Sequence, residues 1–315
     1  MPRRRFPFVQ TLIAPLAVGF GLTTARLPLP LCRLIGRWLG RAAYFLVPKV
    51  RQVAYANLRA AYGSDLSAAE RKRIAKCAAE NMGIVAAEFS HIFSISPEFV
   101  AQNIIIHGKE HFDFSRGGLI LGAHLGNWEW MAPVVQTFFP RTAEVVRPLD
   151  HPMLDRFVDR IRRSNGVVTI RKEGAGAEVV SLLRQGYLVG VLADQSPRQS
   201  AVPVKFFGKT CWATVAPILA ALRAKVPVYV MSLTREPDGR YCMTISPPLD
   251  WNTPANLRAA LPAFAQEVQN LLEALVRARP EQWLWAHRRW KTRPRLEEEW
   301  LARYGTIFPS TDPEG

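Results

Sequence analysis

The sequence predicts an α/β protein: a mostly parallel central sheet flanked by helices, preceded by a helical, membrane-associated N-terminal region. Three observations carry this expectation. Past Pro97, short β-rich runs alternate with helical stretches, the texture of parallel strands joined by helical crossovers. Hydrophobic residues make up 49% of the 315, enough for a substantial core. Residues 1–60 hold ten Lys/Arg and no Asp or Glu, and these cations are interleaved with Leu, Ile, Phe and Trp.

The elements follow in order. Residues 6–25, "FPFVQTLIAPLAVGFGLTTA", are uncharged and follow "PRRR". Pro7, Pro15, Gly19 and Gly21 make them a poor spanning helix, so they read as an uncleaved, shallow or marginally spanning anchor. The next segment is a basic amphipathic helix. Arg33, Arg37 and Arg41 recur every four residues, and Leu31, Leu34, Ile35, Trp38, Leu39 and Ala42 take the other side. That apolar side faces either a lipid interface or the core. Helices are expected over 51–62 and 66–93, the second opening with Ser67 and an acid three residues on. Strands are expected at 103–107, 118–124, 143–148, 166–170, 187–194, 226–233 and 241–249. Helices fit near 127–138, 152–164, 175–185, 212–224 and 255–279, and "FFG" at 206–208 reads as core and turn. The organisation expected is an attachment region, 1–50, a single α/β domain, 51–295, and a tail, 296–315.

A formal net charge of +15 calls for an anionic partner. The amphipathic pattern favours an anionic membrane surface over nucleic acid, with the chain on the cytoplasmic side by the positive-inside rule. The C-terminal "WLWAHRRWKTRP" mixes Trp283, Trp285 and Trp290 with His287, Arg288, Arg289, Lys291 and Arg293. It suits a headgroup interface, single-stranded nucleic acid, or tryptophans packed on the core. The four cysteines are scattered and read as free, mostly buried thiols of a reducing compartment. There is no HExxH and no Cys/His cluster, so no metal is expected.

The chemistry concentrates in "GAHLGNWEWM", residues 122–131. A strand-like run leads to His124, and Glu129 follows five residues later. If the chain turns into a helix just after His124, the Glu129 carboxylate reaches back to the imidazole and fixes its tautomer. The other ring nitrogen is then a base. No GxSxG and no local nucleophile accompany it, so the hydroxyl it activates arrives with the substrate. Gly126 leaves room for a close backbone approach, and an amide or arginine nearby would serve an oxyanion. An ordinary surface pair has the same spacing.

"HLGNWE" resembles the HxxxxE box of the lipid A biosynthesis acyltransferase family (HtrB type), within the glycerolipid acyltransferase-like enzymes. The resemblance extends in order through "LPLPLCRLIGRWLGRAAYFL", "VVRPLDHPMLDRFVDRIRRSNG", "LADQS" and "RARPEQWLWAHRRWKTRP", roughly residues 12–295. It implies transfer of a fatty acyl chain from a thioester of acyl carrier protein or CoA to a hydroxyl of a membrane glycolipid, a lipid A precursor, at the cytoplasmic membrane. No cofactor beyond the acyl donor is implied. His124 would be the general base and Glu129 its partner. Arg163, with Arg162 beside it, matches the family's active-site arginine. Asp194 and Gln195 match its acidic position at a strand end. Arg147 matches its "RP" stretch, and Asn127 and Gly126 lie within the box. The bland alternatives are surface ion pairs for Arg147 and Arg163 and a loop cap for Asp194. The other functional readings are a phosphatidylinositol mannoside or lysolipid acyltransferase, and a non-catalytic binder on the same scaffold.

Overall fold

A computed structural model describes residues 7–308 apart from 250 and 252–255. Four helices come first: α1 (Pro7–Thr24), α2 (Leu29–Leu46), α3 (Pro48–Tyr62) and α4 (Ala68–Glu88). The capping box read at Ser67 is formed, for Ser67 Oγ accepts from the Glu70 amide at 3.2 Å and Glu70 accepts from the Ser67 amide at 2.9 Å. The expected helix 66–93 is α4 continued by a 3-10 turn over Phe89–Ser94.

The α/β body follows: α5 (Pro97–Asn103), β1 (Ile104–His107), β2 (Gly118–Gly126), α6 (Met131–Gln136), β3 (Thr142–Val146), α7 (Pro152–Arg162), β4 (Val168–Arg171), α8 (Ala175–Arg184) and β5 (Leu188–Leu192). Then come β6 (Ala201–Phe206), β7 (Lys209–Thr214), α9 (Ala216–Ala224), β8 (Val228–Arg235), β9 (Tyr241–Ile245), α10 (Leu257–Ala278) and α11 (Pro294–Tyr304). The seven-stranded sheet has the order β1-β9-β8-β2-β5-β3-β4. β2 is central and runs parallel to β5 and β8. Buried apolar clusters cover both faces of the sheet.

The central sheet is mostly parallel, as expected: β8, β2, β5, β3 and β4 run parallel, while β9 runs antiparallel to β8 and carries β1 with it. "EPDGR", residues 236–240, is a short turn and cannot make a parallel crossover. The helix expected over 212–224 starts only at Ala216, because residues up to Thr214 pair with β6 in a hairpin. Its turn is Phe207-Gly208, both at positive φ (52° and 67°), the conformation of a tight hairpin turn. "FFG" is thus core and turn, as its composition suggested.

The helix α2 settles which way its faces point. Cys32, Gly36, Gly40 and Tyr44, four residues apart, are buried. The glycines let α2 touch α4 backbone to backbone: a Cβ on Gly40 would lie 2.1 Å from the Ala79 carbonyl oxygen. Arg33 and Arg41 flank this seam and pair with Glu88 (2.5 Å) and Glu80 (2.9 Å). The apolar side is left in the open, with Trp38 58% and Leu46 78% exposed beside Leu31, Leu34, Leu39 and Phe45. The core-packing alternative for this face is excluded. No helix among the described residues is long and apolar enough to cross a membrane. The cysteines are free, Cys32 and Cys211 buried, Cys77 and Cys242 half-buried.

Gly40→Leu is expected to destabilise the fold by about 1–3 kcal/mol, since neither backbone can retreat. Gly19→Ala, where nothing lies within 4 Å, is the neutral or slightly stabilising control. Denaturant titration in detergent compares the two.

Candidate active site

The central strand delivers the histidine. Along β2, Ile120, Gly122 and His124 alternate onto one sheet face, and His124 stands near its carboxyl end. Carboxyl ends are where parallel sheets expose functional groups. β5 ends two residues before Asp194, and this carboxylate meets the histidine twice. His124 Nδ1 lies 2.8 Å from Asp194 Oδ1, and the His124 amide donates to Oδ2 at 2.9 Å. A third bond to Asp194 Oδ2 comes from Trp283 Nε1 at 2.9 Å. With Nδ1–H committed to the carboxylate, Nε2 carries the lone pair, and the Gln195 amide nitrogen sits 3.3 Å from it.

Burial by itself would raise the Asp194 carboxyl and depress the imidazole. Their mutual charge and hydrogen bond outweigh burial in both. Asp194 is held below the usual carboxylate range, and His124 is raised above the ordinary imidazole value.

The partner of His124 is therefore Asp194 rather than Glu129. Glu129 projects from a 3-10 turn, Trp128–Trp130, and is gripped by Arg162. The guanidinium forks onto both carboxylate oxygens at 2.9–3.1 Å, and Trp128 Nε1 donates to Glu129 Oε1 at 3.2 Å. Arg162 also lies 3.7 Å from Glu144 on β3. Burial pushes the Glu144 carboxyl up to about 7, against the pull of Arg162. The expectation required a turn just after His124, but β2 runs on to Gly126 and the 3-10 turn begins only at Trp128.

His124, Gln195, Glu129, Arg162 and Glu144 line one cleft of about 310 Å3, with Arg147 and Lys172 among its residues. Several other expected residues fall elsewhere. Arg163 is 63% exposed and pairs with Asp159, because one step along a helix turns a side chain by about 100°. Its neighbour Arg162 is the arginine in the cleft. Asn127 is buried and donates to Glu88 at 2.8 Å, away from the cleft. Gly126 adopts φ +64°, and its Cβ position lies 1.9 Å from the Leu233 carbonyl oxygen. Its freedom serves strand packing, not a substrate.

The C-terminal aromatic-cationic segment is partly internal, with Arg288 and Lys291 exposed. Trp283 and Trp285 are 1% exposed and Arg289 is 0%. Arg289 donates to the Trp212 carbonyl and to Gln269, with its guanidinium over the Phe206 ring. The Leu284 amide donates to the His124 carbonyl at 3.0 Å. The segment is a strut behind the histidine, which leaves its headgroup and nucleic-acid readings without an accessible surface at these three residues.

Sequence reasoning missed Trp283, Glu144 and Lys172 as site residues, and it missed the bond between His124 and Asp194. Seventy positions separate those two, so no spacing rule joins them. The signal present was that both stand at strand exits.

The family model described as bacterial lipid A biosynthesis acyltransferase matches residues 3–292. A lipid A biosynthesis lauroyltransferase of Escherichia coli K12 is 26% identical over 286 residues, 89% of this chain and 91% of that one. A lipid A biosynthesis acyltransferase of Haemophilus influenzae is 27% identical, covering 85% of this chain and 86% of that one. The lipid A biosynthesis palmitoleoyltransferase of E. coli K12 is 24% identical, covering 85% and 88%. The solved 1-acyl-sn-glycerophosphate acyltransferase of Thermotoga maritima is 15% identical and covers 78% of this chain and 97% of that one. The TM-score of that match is 0.36. The match of the family model over nearly the whole chain makes this protein a member of the bacterial lipid A biosynthesis acyltransferases, and so an O-acyltransferase.

Proposed function

We propose that this enzyme transfers a fatty acyl chain from a thioester to a hydroxyl of a lipid A-type glycolipid at the cytoplasmic membrane surface, with His124 as general base. One observation carries the reading: Asp194 occupies His124 Nδ1 and leaves the Nε2 lone pair in a cleft, with the Gln195 amide 3.3 Å away. The acceptor hydroxyl gives its proton to Nε2 as its oxygen attacks the thioester carbonyl. Collapse of the tetrahedral intermediate expels the thiolate, which recovers that proton from the imidazolium. The Asp194 charge stabilises the imidazolium between the two steps. No Ser or Cys is among the described residues lining the cleft, which supports direct transfer without an acyl-enzyme.

Glu129 acts through Arg162. The fork holds the guanidinium against the cleft wall, where Arg147 and Lys172 add positive charge for a phosphate or an oxyanion. The donor is an acyl carrier protein or CoA thioester. The exposed apolar face of α2 supports binding to a lipid interface, with Arg37, which has no ion pair among the described residues, offered to anionic headgroups.

Three outcomes test this. Transfer of a radiolabelled acyl chain to a lipid A precursor is expected to fall by on the order of 10²–10⁴-fold in His124→Ala. The base must be neutral to act, and its folded pKa is raised. The acid limb of kcat/KM therefore lies above the ordinary imidazole value of about 6.5. Asp194→Asn moves that limb down in pH, whereas Glu129→Gln moves it less; the reverse order would make Glu129 the partner of the base. Finally, Trp38→Glu with Leu39→Glu is expected to weaken sedimentation with phosphatidylglycerol vesicles by at least about tenfold, each lost apolar contact costing about 1.5–3 kcal/mol.

A further inference from the structure

A second pocket, of about 300 Å3, lies between α2, α4 and the β8–β9 turn, and none of its residues enters the acyl-transfer mechanism. Four guanidiniums line it, those of Arg33, Arg37, Arg235 and Arg279, with the carboxylates of Glu236 and Glu281. Arg279 is matched by Glu236 at 2.7 Å, and Arg33 by the buried Glu88 at 2.5 Å. Arg37, Arg235 and Glu281 have no ion pair among the described residues. With Glu88 included, four guanidiniums face three carboxylates, which leaves one net positive charge. Two of these cations are held by neutral groups. Arg235, half-buried, donates to Asn81 Oδ1 at 2.8 Å and to the Tyr241 hydroxyl at 3.2 Å. Arg33 donates also to the Gly239 carbonyl at 2.7 Å. Both guanidiniums lie near one ring, 5.4 and 5.9 Å from the centre of Tyr241. Like charges gathered so closely repel, and an anion in the pocket relieves that repulsion. Side chains already fixed lose little freedom when it binds.

We infer that this pocket is a headgroup site for an anionic glycerophospholipid, with the phosphodiester against Arg37 and Arg235 and the lipid chains along α2. The inference rests on the interfacial reading of α2 above. The pocket borders the apolar face of that helix. Arg37 is itself exposed, and Leu34, three residues before it, and Trp38, next to it, are 48% and 58% exposed. Arg41 lies over the Trp38 ring at 4.7 Å, so the arginine stripe and the apolar face share an edge. Arginine and tryptophan on such an edge sit at the level of lipid phosphates. Charge selects the class of headgroup. A phosphodiester carries a single negative charge, which the one net positive charge of the pocket matches. A phosphomonoester carries about 1.5 to 2 negative charges at neutral pH and exceeds it. A zwitterionic headgroup brings a further cation among four guanidiniums. Glu281 is left to accept from a headgroup hydroxyl. The volume is that of about ten waters, room for a phosphate with a small polyol.

The test is cosedimentation of the full chain with phosphatidylcholine vesicles that contain phosphatidylglycerol or, at equal surface charge, the monoester phosphatidic acid. Wild type is expected to prefer phosphatidylglycerol to phosphatidic acid and to phosphatidylcholine alone. Arg37→Gln and Arg235→Gln are each expected to lower that preference by about tenfold, the worth of one hydrogen bond to a charged group. Lys49→Gln removes the same charge from an exposed position outside the pocket and is expected to lower it by less. Arg37 is exposed, so its variant carries the test if Arg235→Gln does not fold. Equal losses in Arg37→Gln and Lys49→Gln, an unchanged preference in Arg37→Gln, or a wild-type preference for phosphatidic acid overturns the inference. The rise in thermal midpoint with glycerophosphoglycerol, the headgroup without chains, reads the pocket without a membrane. A rise that Arg37→Gln removes, in a wild type that binds no vesicle, would uphold the headgroup site and overturn the interfacial reading. An equal rise with inorganic phosphate would make this a phosphate site and overturn the lipid assignment.

Discussion

The buried carboxylate of Asp194 is the constraint on which the site depends. It accepts three hydrogen bonds, two from His124 and one from Trp283. A carboxylate out of water costs several kcal/mol unless such partners replace its hydration. Satisfying it joins the ends of two neighbouring strands to the segment that leaves α10. The orientation of the imidazole, its tautomer and its raised pKa all follow from that one placement. The C-terminal tryptophans are then scaffold: Trp283 supplies a donor, and the Leu284 amide fixes the His124 carbonyl from behind.

A second buried carboxylate ties the site to the N-terminal helices. Glu88, fully buried at the end of α4, accepts from Arg33 of α2, from Tyr241 of β9 and from Asn127 just after β2. The Trp130 indole donates to the Glu88 carbonyl. The 3-10 turn that carries Glu129 is thus anchored on both sides by one residue of α4. The apolar face of α2 points away from this polar junction. A helix with an exposed apolar face and a turn that lines the cleft therefore share one support.

Much of the fold is legible in the chain. All seven strands of the main sheet stand where β-branched runs and turn residues mark them, and Ser67 caps its helix as the pattern required. The β6–β7 hairpin was not legible. "VPVKFFGKTCWATV" holds little clean alternation, for three consecutive residues of each strand are buried. The fate of "WLWAHRRW" was open for a related reason. Aromatics and cations have the same composition at a headgroup interface as in a satisfied interior, and only Trp212, Gln269 and Phe206, far away in sequence, decide that Arg289 is inside.

By itself the sequence determined what local rules reach: the order of elements, the amphipathic helix with its arginines every four residues, and a histidine at a strand exit. Each is a matter of period and propensity over a few residues. The tertiary structure decided the pairings. Asp194 rather than Glu129 holds His124, and Arg162 rather than Arg163 faces the cleft. The backbone contact at Gly36 and Gly40 turns the apolar side of α2 outward. A carboxylate takes whichever donors the folded chain brings within about 3 Å. That distance is set by strand register and helix packing among residues tens of positions apart, which no short-range pattern encodes.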